Sequence, residues 1–175
     1  RKTKKAPAPR FRGEVIGLLL VALAVVTLLS LLSVSQGSIT EKWLGLLSQA
    51  FGYGAYVTPL IFGAAGLWMI LKGIGRNPQI EPEKPVGMAV LFLFGLAMVH
   101  SLPSAVAPKE LAAGGRGGGY LGWLLSQAFV KGLGGIGAWI VVVAGLLTGL
   151  VMAAGVSLGE MATFVRSMLA RLRAR

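Results

Sequence analysis

The sequence predicts an all-α membrane protein: four transmembrane helices in two parallel hairpin repeats, with short amphipathic helices on the outer face. Three observations carry that expectation. Of 175 residues, 55% are hydrophobic and only 13% are charged, against about 25% charged in a typical soluble domain. Four stretches, residues 15–32, 55–71, 86–102 and 136–156, contain no Lys, Arg, Asp or Glu. Finally, the hexapeptide Leu-Leu-Ser-Gln-Ala-Phe occurs at residues 46–51 and again at 124–129. A mean hydropathy of +0.75 excludes disordered and ordinary soluble classes.

Taken in order, residues 1–13 form a basic cytoplasmic tail in which Arg10 and Arg12 face lipid headgroups. The first span, 15–32, has 18 residues, about 27 Å of helix at about 1.5 Å per residue. That approaches the roughly 30 Å of hydrocarbon in a bilayer. It also exceeds the roughly 7–15 apolar residues of a secretory signal core. Ser33-Val34-Ser35 is therefore read as a loop, although it has the form of a cleavage site. Hydrocarbon offers no water to backbone N–H and C=O groups, so each of the four stretches is expected to be helical.

Ser38-Ile39-Thr40-Glu41 has the form of a capping box. Beyond it Trp43, Leu44, Leu47 and Phe51 lie on one helical face, opposite Lys42, Ser48 and Gln49. This predicts an amphipathic helix lying on the outer membrane surface. Gly52-Tyr53-Gly54 then turns the chain into the second span. The second copy of the hexapeptide, with Trp123 and Phe129, predicts a matching surface helix. Gly54-Ala55-Tyr56-Val57 resembles Gly137-Ala138-Trp139-Ile140 if the second copy carries five extra residues. Two repeats of span, surface helix and span, both starting on the same side, are parallel repeats. Between the copies, the run Gly114-Gly115-Arg116-Gly117-Gly118-Gly119 reads as a flexible external loop.

Gly63 and Gly66 in the second span, and Gly145, Gly149 and Ala153 in the fourth, form small-residue faces suited to close helix packing. Residues 14–156 thus constitute the transmembrane domain. Residues 157–175 open on a second capping-box pattern and continue as a basic amphipathic helix or linker. There Arg166, Arg171 and Arg173 face lipid.

Orientation follows from Lys and Arg placement. Thirteen of the 17 basic residues precede the first span, separate the second from the third, or follow the fourth. Both termini are then cytoplasmic. The net charge of +11 is largely this topology signal. Direct nucleic-acid contact is not expected; the expected partners are the lipid bilayer and either further copies or other integral membrane proteins.

Chemistry-bearing residues are sparse. There is no Cys and a single His, which removes thiolate and multi-histidine metal sites. The spans hold no ionisable pair for ion or proton transport, which weighs against a small transporter. His100 reads as an interfacial, hydrogen-bonding side chain. No catalytic residue, cofactor or metal is expected. Because the sequence opens on Arg1, it is expected to be part of a longer product.

Three segments resemble the four-helix membrane domain of FtsK/SpoIIIE DNA translocases, over roughly residues 12–160. They are Glu14-Val15-Ile16-Gly17-Leu18-Leu19-Leu20, Phe51-Gly52-Tyr53-Gly54-Ala55-Tyr56-Val57-Thr58-Pro59-Leu60, and Gly135-Ile136-Gly137-Ala138-Trp139. The resemblance implies a membrane-anchoring and assembly domain for a hexameric, ATP-driven DNA motor working in cell division and chromosome segregation. No Walker motif or DNA-reading winged helix occurs in these residues, so no motor residue is carried over. A stand-alone structural subunit of a larger membrane complex is the alternative.

Overall fold

The computed structural model describes residues 11–32, 37–74, 81 and 83–155, with the backbone alone for Phe11 and Arg12. The predicted tail before residue 11, Arg10, and the helix at 157–175 with Arg166, Arg171 and Arg173 lie outside the described residues. The Arg12 side chain does so too.

Six α-helices and one 3-10 turn make up the described chain, and no strand occurs among these residues. They are α1 (Phe11–Leu32), α2 (Ser38–Phe51), the 3-10 turn Gly52–Tyr56, α3 (Thr58–Gly73), α4 (Glu83–His100), α5 (Pro108–Ala113) and α6 (Gly119–Ala154). Three stretches, Gly13–Leu32, Glu83–His100 and Gly119–Ala154, are long and apolar enough to cross a membrane. A fourth crossing results if Ser38–Tyr56 and Thr58–Gly73, bent by 84° at their junction, count as one.

Helix α1 is built from Leu, Val and Ala, and its two interior hydroxyls are satisfied within it. Thr27 Oγ1 donates to the Leu23 carbonyl and Ser30 Oγ to the Val26 carbonyl, both at 2.7 Å. That pairing lets a hydroxyl sit in an apolar span without an orphaned donor. α3 begins three residues later than the predicted span, because Gly52–Tyr56 winds as a 3-10 turn. Pro59 sits in its first turn, where the missing N–H costs nothing. α3 is 16 residues long, about 24 Å of helix.

In space α1 packs along α3, and α4 along α6. The two hairpins join through α2, the 3-10 turn, α5 and the first half of α6, which pack together at one end of the spans. α6 is not one regular helix. Gly134 breaks it with φ 72° and ψ 174°, a conformation accessible essentially to glycine alone. Residues 135–154 beyond the break span about 30 Å, one hydrocarbon thickness.

Two expectations are corrected here. The capping box at Ser38 does not form: Gly37 is the N-cap and makes no side-chain cap bond. Thr40 Oγ1 instead donates to the Gly37 carbonyl at 2.8 Å, which takes over the turn that Ser38 and Glu41 were expected to close. The glycine run is no loose loop either. Gly117, Gly118 and Gly119 are all buried, and Gly117 accepts a 2.8 Å hydrogen bond from the Tyr53 amide.

Candidate functional site

What this chain offers function is a set of contacts that fix four helices and a connecting layer. The first is a glycine crossing between α1 and α3. A β-carbon on Gly66 would stand 2.6 Å from the Gly17 carbonyl oxygen and 2.9 Å from the Val21 amide nitrogen. A β-carbon on Gly17 would in turn meet the Gly66 carbonyl at 2.7 Å. Two backbones this close gain van der Waals contact that lipid chains cannot replace. Gly63, one turn away, faces the Ala24 methyl at ordinary contact distance, 3.7 Å.

The second crossing joins α4 and α6. Gly149 faces Leu91 and the Gly87 carbonyl, with 3.1 Å between the latter and an added β-carbon. Gly87 is buried against Met152 and Ala153, and Gly145 lies against the Phe94 ring. Gly17 and Gly87, the partners of these small-residue faces, are not singled out by the sequence reading. Aligning the halves on their shared hexapeptide would not have found them, because its offset of 78 sets Gly17 opposite the unpacked Gly95.

The connecting layer is fixed by both polar and apolar contacts. Trp43 in α2 donates its indole N–H to Thr27 Oγ1 in α1 at 3.0 Å. Thr27 is fully buried, so this pair seats α2 on the first hairpin. Leu44 and Leu47 are buried beneath α2, while Lys42 and Gln49 stay exposed. Phe51 reaches the second hairpin, its ring 5.6 Å from that of Phe92. Phe129 stacks on Phe94 at 5.8 Å, and Trp123 meets Tyr120 edge-on at 6.4 Å.

Gly52 and Gly119 bring the two halves of the layer into direct backbone contact. Both adopt positive φ, 58° and 62°. A β-carbon on Gly119 would lie 2.5 Å from the Gly52 nitrogen and 2.6 Å from the Ala50 carbonyl oxygen. No side chain fits that junction. Gly122 lies equally close to the Leu96 carbonyl.

At the opposite end of the spans, the described residues include few charged contacts. Lys84 pairs with Glu81 at 3.1 Å, both well exposed, a geometry that contributes little to stability. Lys72 lies over the Trp68 ring at 5.1 Å, and the Glu14 side chain rests against Gly73. His100 departs from its expected interfacial, hydrogen-bonded role. It is buried, and neither ring nitrogen has a hydrogen-bond partner among the described residues.

No solved structure matches this chain. Residues 43–166 match the family model described as the 4TM region of DNA translocase FtsK/SpoIIIE. The matched segment starts at Trp43 and takes in the connecting layer and both glycine-bearing second helices, α3 and α6. It covers well over half of the sequence, and on that extent the chain belongs to the FtsK/SpoIIIE family, as its four-helix membrane region.

Proposed function

We propose that this chain is the membrane-anchoring and assembly region of a DNA translocase that serves cell division and chromosome segregation. Its motor lies outside these residues. The observation that carries the reading is family membership over residues 43–166. In this reading the region is not itself catalytic and takes no cofactor. It holds the motor at a bacterial inner membrane and assembles with further copies or other integral membrane proteins.

Both termini are cytoplasmic in this reading, supported by the thirteen basic residues that cluster on one side of the spans. The spans form two parallel repeats. The shared hexapeptide, 78 positions apart, supports that arrangement, and each hairpin also crosses through closely packed glycines. α2 and the first half of α6 are the amphipathic surface helices of this arrangement. Its connecting layer lies on the outer face, leaving the cytoplasmic ends free for a motor.

Tagging the chromosomal gene at its 3′ end tests the reading. The expected product is far larger than 18.2 kDa plus tag, carries an ATPase segment, and concentrates at the division site. A product near 18.2 kDa that copurifies at fixed stoichiometry with an integral membrane complex would replace it with the structural-subunit reading.

A further inference from the structure

His100 is 5% exposed and lines a cleft of about 220 Å³ at the end of α4, beside the break in α6. That volume accommodates several water-sized groups, a headgroup rather than an acyl chain. The cleft belongs to the second hairpin alone. In the first hairpin the layer runs straight from Phe51 into the 3-10 turn, without the five extra residues at 130–134. Val130 and Gly135, at the two edges of that insertion, line the cleft.

The cleft holds few free hydrogen-bonding groups. Ser101 and Ser126 also line it, but their hydroxyls already donate to the Ala97 and Trp123 carbonyls, at 2.8 and 2.9 Å. Ser104 Oγ accepts from the Val106 amide at 3.2 Å, which leaves its own O–H to donate. With one ring N–H of His100 and the Gln127 NH2, three donor groups line the space; the second imidazole nitrogen and the Gln127 carbonyl can accept, and no carboxylate lines it. The Pro108 backbone approaches the imidazole without completing a hydrogen bond to either ring nitrogen. A buried ring with both nitrogens unpaired is costly unless a ligand supplies the partner.

Part of the cleft's exposed lining is apolar. Val130 and Trp139 line it and are 42% and 40% exposed, and the neighbouring Ile136 is 82% exposed. Hydrogen-bonding side chains beside exposed apolar ones in a single cleft match an amphiphile with a hydrogen-bonding polar part. We propose that this cleft binds the phosphodiester headgroup of a membrane phospholipid, its acyl chains leaving past Val130 and Trp139. His100, Ser104 and Gln127 donate to the phosphate and ester oxygens.

The experiment uses the full chain in dodecylmaltoside, titrated with dioleoylphosphatidylglycerol and read by native mass spectrometry. Inorganic phosphate and monoolein serve as competitors. One phospholipid per chain is expected, with neither competitor displacing it at matched concentration. His100→Leu and Val130→Trp should each weaken retention by about tenfold or more, as expected for losing a hydrogen bond to a charged group or filling the site. Leu93→Ala, on an exposed face of α4, should leave it unchanged. Wild-type retention in both cleft variants overturns the proposal, as does displacement by inorganic phosphate alone, which would assign the cleft to a free anion. Thermal unfolding separates lost binding from lost fold. If His100→Leu does not fold, Val130→Trp at the exposed rim decides.

Discussion

Gly66 of α3 crosses Gly17 of α1 with no room for a side chain: a β-carbon on Gly66 would stand 2.6 Å from the Gly17 carbonyl oxygen. The second hairpin is also closed by glycines, but differently: a β-carbon on Gly149 would stand 2.6 Å from the Leu91 nitrogen, while Gly87 packs against Met152 and Ala153. In a lipid solvent, apolar area alone does not distinguish helix–helix from helix–lipid contact, so close backbone approach becomes the discriminating term. The hairpins are therefore held by what their crossing residues lack.

Gly66→Ala is expected to destabilise the protein by about 1–3 kcal/mol, the usual cost of forcing atoms into a packed interface. The neighbours are backbone atoms and the Val21 side chain, which cannot swing aside cheaply. Gly95→Ala is the control, since nothing lies within 4 Å of a β-carbon there. It should be neutral or raise stability by up to about 1 kcal/mol through helix propensity. Reversible unfolding in mixed micelles measures both. Equal effects at the two positions would contradict the crossing.

Thr27→Val keeps the shape of a buried residue while removing the acceptor of the Trp43 indole N–H. The stranded donor should cost about 1 kcal/mol, within the range for side-chain hydrogen bonds in membranes. Thr27→Ser, which restores the hydroxyl, should recover most of the polar contribution. The Trp43 emission maximum, read in a variant with the other three tryptophans replaced by Phe, should shift in Thr27→Val and return in Thr27→Ser.

Gly119→Ala strikes the junction between the hairpins rather than either hairpin. Both the positive φ and the 2.5 Å approach to the Gly52 nitrogen oppose it, so a loss of about 2 kcal/mol or more is expected. Protease sensitivity should rise around residues 101–118, while helix content by circular dichroism stays near wild type. Unchanged protease resistance would show that the junction does not hold the layer.

The first, third and fourth spans were legible because 17 or more consecutive residues without charge favour a helix in a bilayer. The second fell on α3, which makes a crossing only if counted with the bent segment before it. The breaks between surface layer and span were legible at Gly52–Gly54 and near Gly135, where glycines interrupt an apolar pattern. The run at 114–119 was not, since glycine marks both a chain free to move and a backbone pressed against another backbone. Only the neighbour decides, and that neighbour, Gly52, lies more than sixty positions away. The Trp43–Thr27 bond was hidden for a related reason. Aromatic residues at a membrane interface satisfy an anchoring pattern whether the indole faces lipid or a buried hydroxyl. His100 could be placed at a helix end from sequence, but its burial depends on how α5 and α6 fold over it.

The proposed anchor requires the connecting layer on one side of the membrane and the opposite helix ends on the other, facing a cytoplasmic motor. With no native cysteine, single substitutions at the exposed residues Lys109 and Glu83 report this directly. A membrane-impermeant maleimide added to intact cells, after the outer envelope has been permeabilised, should label Lys109→Cys and leave Glu83→Cys untouched until the inner membrane is opened. Labelling of Glu83→Cys with protection of Lys109→Cys would contradict the account.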